Sequence, residues 1–276
     1  MNRSSQKSRR DFIRNSSLLT TGAFVIPSIV PAFVLGRNAP SGRINIGMIG
    51  TGRQAINANL KRGFLALENC RVVAVNDVDS WRMALGEKTV NEAYSKDGRS
   101  YNGVKSYGDY RDLIADPDVD AVMISTTDHW HAPATIAAAL AGKHVCMEKA
   151  FTVAPMHGKA VVEAVKKTGI TGRLDSEFRS IREMNRAVEL VHNKVIGELV
   201  EVEVGVPGEL SGSALGPQET MPVPKELNYD MWLGPAFPAP YTMQRVHEPG
   251  TIDSRPGWLR ISDYCNGMIT NWGAHL

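Results

Sequence analysis

The run Gly50-Thr51-Gly52-Arg53-Gln54-Ala55 constrains this chain more than any other stretch. It follows directly on Arg43-Ile44-Asn45-Ile46-Gly47-Met48-Ile49, which alternates and is β-branched, as a strand should be. A helical stretch from about Ala55 to Leu67 comes next. Set between a strand and a helix, the pattern G-x-G-x-x-A has a physical meaning. Gly50 permits a tight turn, Gly52 lets a pyrophosphate approach the backbone, and Ala55 allows close helix–strand packing. The helix start also presents N–H groups without intrahelical partners and the positive end of a dipole.

A glycine pattern alone is weak, but here its context is filled in. Arg71-Val72-Val73-Ala74-Val75 reads as a second strand and ends at Asn76-Asp77, with Asp77 25 residues after Gly52. An acid at that strand end accepts hydrogen bonds from the adenosine ribose hydroxyls and repels a 2′-phosphate. NAD is therefore favoured, while Arg82 lies close enough to keep NADP open. The α/β alternation continues with a short helix at Asp109–Ala115 and an apolar strand at Ala121–Ile124. A polar loop, Ser125 to His131, is followed by a helix over Ala132–Ala141 and a strand at His144–Met147 that ends on Glu148-Lys149. In an open parallel sheet, ligands bind beyond the carboxyl ends of the strands. The expectation is a doubly wound parallel sheet of the Rossmann type, class α/β, over residues 43–168. Its cofactor-binding candidates are Gly50, Thr51, Gly52, Arg53, Gln54, Asp77, Thr126, Thr127, His129, His131, Glu148 and Lys149.

Residues 169–276 carry a different pattern. A strand over Gly169–Leu174 precedes a helix over Arg182–Asn193 whose core face holds Ala187, Leu190 and Val191. From Glu198 to Val206, valines 200, 202, 204 and 206 alternate with polar residues, as in a half-buried strand. A single clear strand cannot bury its own face. The expectation is an incomplete α+β open-sheet domain in a C-terminally truncated chain. Met268 to Leu276 reads as a helix, which puts Asn271 and His275 on one face. Oxidising a secondary alcohol needs a base near neutrality, and His275 is the natural candidate.

The formal charge of +2 is unevenly spread: residues 1–36 hold five basic residues against Asp11, a local +4 that leaves −2 for the rest. With no basic stripe, nucleic acid is not expected as a partner. Ser8-Arg9-Arg10-Asp11-Phe12 ahead of a weakly apolar run broken by Pro27 and Pro31 has the layout of a twin-arginine export signal. Export through that machinery and a periplasmic location follow as expectations. Cys70, Cys146 and Cys265 make neither a disulfide framework nor a zinc signature. Asp128, His129 and His131 lack a further ligand cluster, so no metal is expected.

Together these motifs resemble the glucose–fructose oxidoreductase, inositol dehydrogenase and MocA-like (Gfo/Idh/MocA) family, in its export-signal-bearing subgroup. The resemblance rests on the Gly50 loop, Thr126-Thr127-Asp128-His129-Trp130-His131, Ala141-Gly142-Lys143-His144-Val145 and Glu148-Lys149. It continues in Glu189-Leu190-Val191, Ile196-Gly197, Trp232-Leu233-Gly234-Pro235 and Gly267-Met268-Ile269-Thr270-Asn271-Trp272-Gly273-Ala274-His275. It implies hydride transfer between NAD(P) and a sugar or polyol hydroxyl. It also implies a C-terminal domain serving substrate binding and oligomerisation, with the full-length protein a homo-oligomer. Lys149 and His275 are the implied catalytic groups, with Asn271 positioning substrate. Two departures stand out. Ala150 replaces the proline of the family's Glu-Lys-Pro, and a cis bond before alanine costs about 2.5–4 kcal/mol, so a different turn is expected. Asn271 replaces the aspartate four residues before the histidine. Redox-assisted glycoside cleavage and a non-catalytic dinucleotide- or sugar-binding role are the alternatives.

Overall fold

The computed structural model describes residues 42–95, 100–205, 216–253 and 257–275. The expected export signal lies outside them. Strand β1 (Ile44–Ile49) leads through the glycine loop into α1 (Ala55–Gly63), which is wound with the wide π turn and ends in a short 3-10 turn. Then come β2 (Cys70–Asn76), α2 (Ser80–Tyr94), β3 (Lys105–Tyr107), α3 (Tyr110–Ala115), β4 (Ala121–Ile124), α4 (Asp128–Leu140), β5 (His144–Glu148), α5 (Pro155–Thr168) and β6 (Gly172–Asp175). All strand pairings are parallel, and the order is β3-β2-β1-β4-β5-β6. This is the doubly wound order of a Rossmann fold, whose direction reverses between β1 and β4 and opens a crevice at their carboxyl ends.

The strands are apolar on both sides because helices cover both sides. Ile46 and Met48 of β1 join Val72 and Val75 of β2 in one core, closed by Ala55, Ile56 and Leu60 of α1 and Val90 of α2. Val122 and Ile124 of β4 and Val145 and Met147 of β5 face the opposite core, closed by Leu113 and Ile114 of α3 and Ala134 and Ala138 of α4.

Beyond β6 lie α6 (Arg182–His192), α7 (Tyr229–Leu233) and α8 (Gly267–Gly273). A third apolar cluster gathers Leu227, Tyr229, Trp232, Leu233, Tyr241, Val246 and Tyr264. It is tied to the strand-β2 end by an antiparallel bridge between Asp79 and Leu227 and by the bond from Ser80 N to the Glu226 carbonyl at 2.8 Å.

Five expectations need correction. The sheet runs past the boundary at 168, because β6 pairs with β5 through Val145–Gly172 to Glu148–Asp175. Helix α4 begins at Asp128, so Asp128 to His131 form its first turn rather than a loop. Residues 198–205 form no strand, and Val200 is 95% exposed. Alternation reports a face that wants covering, and no strand among the described residues pairs with this one. Helix α8 stops at Gly273, which leaves His275 just beyond its end. The Lys149–Ala150 bond is cis, despite the alanine.

Gly234 closes α7 with φ 48° and ψ −116°. A Cβ there would overlap the Trp130 indole. Gly234→Ala is expected to destabilise the protein by about 2–4 kcal/mol, combining backbone strain with overpacking. Thermal denaturation of the variant beside the parent checks this, and an unchanged midpoint would contradict the packing described.

Candidate functional site

One cleft opens where the sheet reverses direction, and both halves of the site line it. Gly50, Gly52, Arg53 and Gln54 form one wall, with Asp77 and Arg82 nearby. Gly50 has φ +90°, and a Cβ on it would stand 2.6 Å from the Ser125 carbonyl oxygen. Only glycine lets the loop leave β1 this close to β4.

Thr51 is fully buried and does not line the cleft, which corrects its expected direct role. It braces the loop instead. Its N–H donates to Asp77 Oδ2 at 2.8 Å, and its hydroxyl lies 3.1 Å from the same oxygen and 2.9 Å from the Arg82 carbonyl. Asp77 Oδ1 accepts from Asp79 N–H at 2.9 Å. Arg82 is buried, and its Nη2 donates to the Thr251 carbonyl at 2.8 Å. Burial lowers its pKa, while the charges of Asp77 and Asp79 oppose the shift.

At the other end of the cleft stand Thr126, Thr127, Trp130, Glu148, Lys149, Asn271 and His275. Glu148 closes β5 and is buried; its Oε1 accepts from Asn59 Nδ2 at 2.9 Å and from Gln54 Nε2 at 3.1 Å. Burial pushes its carboxyl up, and those two donors pull it back. Lys149 Nζ donates to Asn271 Oδ1 at 2.7 Å. His275 is buried and stacks on Phe178, with ring centroids 4.6 Å apart at 28°. Its pKa is lowered by burial first and by the Lys149 cation second, against the opposing charge of Asp175.

His129 and His131 do not line the cleft, which corrects their assignment as cofactor contacts. The first turn of α4 points both rings into the protein. His129 Nε2 sits 3.1 Å from the Trp232 carbonyl, and Trp130 Nε1 donates to the same oxygen at 3.0 Å. Burial pushes His129 down to about 4, so near neutrality the ring is uncharged and donates from Nε2. His131 Nδ1 lies 2.6 Å from the Ala150 carbonyl and donates to it. The histidines fasten α4 to α7 and to the turn after β5.

Sequence reading missed Asn59, Asp175 and Phe178. Asn59 had a visible signal: it stands four residues after Ala55 on the buried stripe of α1, where an apolar side chain is the rule. Phe178 sits in a short turn, and no pattern there announces a stacking partner for a histidine nearly a hundred residues on.

A glycine loop with a Cβ-excluding turn, an acid at the β2 end and polar groups at the ends of β4 and β5 fit a dinucleotide. The fold and cleft define a dinucleotide-binding protein of the Rossmann class. The NAD-binding Rossmann fold of the Gfo/Idh/MocA oxidoreductase family matches residues 44–174, and that family's C-terminal alpha/beta domain matches residues 189–276. The chain belongs to this family and carries its NAD-binding Rossmann domain. It is 30% identical over 221 residues to glycosyl hydrolase family 109 protein 2 of Shewanella sp. (strain ANA-3), covering 73% of this chain and 46% of the relative. It is 35% identical over 130 residues to inositol 2-dehydrogenase of Salmonella paratyphi B, covering 47% of this chain and 34% of the relative. The chain thus spans less than half the length of either relative. A crystal structure of scyllo-inositol dehydrogenase from Lactobacillus casei with bound NAD(H) and scyllo-inositol aligns at 21% identity and a TM-score of 0.49, covering 56% of this chain and 43% of that one.

Proposed function

We propose that this protein is an oxidoreductase that uses NAD, in preference to NADP, to oxidise a hydroxyl of a sugar or polyol. The observation that carries the reading is the 2.7 Å contact from Lys149 Nζ to Asn271 Oδ1, in the same cleft as His275 and the glycine loop. Gly50, Gly52, Arg53, Gln54 and the start of α1 would hold the pyrophosphate, and Asp77 the adenosine ribose. Arg82, the cation that would favour a 2′-phosphate, is buried and donates to the Thr251 carbonyl. The dinucleotide, when bound, supplies a hydride acceptor. His275 takes the hydroxyl proton as its hydride leaves carbon. Lys149 orients the hydroxyl oxygen and keeps His275 in its neutral, proton-accepting form. Asn271 fixes the ammonium through its carbonyl oxygen and so takes a positioning role, because an amide cannot accept the proton.

A second reading is favoured by the relative named a glycosyl hydrolase, with its alignment over 73% of this chain. In that reading the hydride is returned to the sugar after elimination, and the glycoside is cleaved with no net oxidation. We also read residues 1–36 as a twin-arginine signal, which would carry the protein out already folded around its dinucleotide, and the assembled protein as a homo-oligomer.

One assay separates the enzymatic readings. Purified protein is incubated with NAD⁺ and a panel of inositols, free sugars and p-nitrophenyl glycosides. Steady growth of NADH absorbance with an inositol or sugar is the expected result. Release of p-nitrophenol without net NADH would replace it with the second reading, and neither signal with any compound would leave a binding protein.

A further inference from the structure

Asn59 reaches from the cofactor-loop helix to the carboxyl ends of three strands. Its Oδ1 accepts from Ser125 Oγ, just past β4, at 2.9 Å. Its Nδ2 lies 2.9 Å from Glu148 Oε1 at the end of β5 and 3.4 Å from Asp175 Oδ2 at the end of β6. Asn59 is 6% exposed and Glu148 5%. One amide therefore stands between two carboxyl groups that strand pairing sets side by side, Glu148 opposite Asp175. Glu148 is buried and Asp175 half-buried, beside Arg173 at 3.4 Å; two neighbouring acids resist ionising together, and each loses a proton more readily when an N–H faces it. Burial pushes both carboxyls upward, and each also registers further charges. Glu148 faces Lys149 and Asp175, with Gln54 and Asn59 as donors; Asp175 faces Arg173, Glu177 and His275.

Glu148 lines the cleft, with Asp175 beside it at the adjoining strand end, and their strands belong to one definite half of the sheet. In the doubly wound sheet each three-strand half serves one mononucleotide. Asp77 marks the β1–β3 half for adenosine, so β4 to β6 face the nicotinamide. The oxidised ring is a cation, and the reduced ring is neutral.

We propose that the Asn59-bridged pair Glu148 and Asp175 discriminates between the oxidation states of the dinucleotide, favouring NAD⁺ over NADH when the pair is ionised. The inference rests on the NAD reading above. One charge acting across several ångströms in a partly screened site is worth about tenfold in affinity or more.

The test is fluorescence or calorimetric titration with NAD⁺ and, separately, with NADH, from pH 5.5 to pH 8. Both forms share the adenosine half, so their affinity ratio isolates the nicotinamide end. The expected result is NAD⁺ affinity falling about tenfold toward pH 5.5 while NADH changes by less than about twofold. Asn59→Leu removes the amide donor and should move the NAD⁺ midpoint upward by about one pH unit. Glu148→Gln keeps the size and a hydrogen-bonding amide, and should flatten the NAD⁺ profile at the weaker level. The proposal is overturned if NAD⁺ and NADH follow the same profile. It is equally overturned if Glu148→Gln leaves the difference intact. Failure of NADH to bind the parent at any pH would instead overturn the NAD reading itself.

Discussion

Gly52→Glu is expected to weaken dinucleotide binding by about a thousandfold while leaving the fold in place. The Cβ of residue 52 meets its nearest neighbour, Arg82 Nη1, at 3.7 Å, an ordinary contact. The backbone at 52 also avoids the left-handed region that constrains Gly50. The new carboxylate would stand where the pyrophosphate must approach. Two like charges about 4 Å apart repel by about 4 kcal/mol at an effective dielectric constant of 20, which is about three decades in affinity. Titration with NADH, together with a thermal melt, checks both halves of the statement. A melt near the parent's with unaltered binding would remove the loop from the cofactor site. Gly50 is a poorer choice for this test, because any side chain there collides with the Ser125 carbonyl and confuses folding with binding.

Lys149→Met is expected to lower kcat/KM by about 10²–10⁴, the range typical of a positioned acid–base group, with NADH affinity kept within about tenfold. Methionine keeps most of the volume and removes the charge that faces Asn271 and His275. The pH profile gives an independent check. As the proposed proton acceptor His275 must be neutral, so activity is expected to rise with pH through its pKa. Burial and Lys149 lower that pKa, so the parent's midpoint should lie below the ordinary histidine value of about 6.5. Loss of the lysine cation should move the residual activity's midpoint upward. A variant with reduced rate and an unmoved midpoint would mean that Lys149 acts on the substrate alone.

The two ends of the cleft were not equally legible in the sequence. The dinucleotide loop is written locally: Gly50 and Ala55 answer steric demands made by their neighbours, Gly52 leaves room for a pyrophosphate, and Asp77 is placed by the strand it ends. Those demands survive without knowledge of the rest of the fold. The β4–β6 end depends on side chains from distant segments. Asn59 looks like a polar interruption in a helix until β4, β5 and β6 are set beside it. His129 and His131 look like site residues when read as a loop. The helix begins at Asp128 instead, and that one-turn difference carries both rings away from the cleft. The valines at 200, 202 and 204 failed for another reason: alternation specifies a face, and only a neighbouring strand makes it a sheet.

The bracing of Thr51 by Asp77 bears on any attempt to redesign the cofactor preference proposed above. The carboxylate that would meet the ribose is also a structural strut, receiving the Thr51 and Asp79 N–H groups. Exchanging it for a small neutral residue to admit a 2′-phosphate strips two backbone donors of their acceptor and loosens the turn that must grip the pyrophosphate. Engineering NADP use here is therefore a problem of loop architecture before it is one of charge. A workable design has to supply a substitute acceptor for the loop and release Arg82 from Thr251 in the same step.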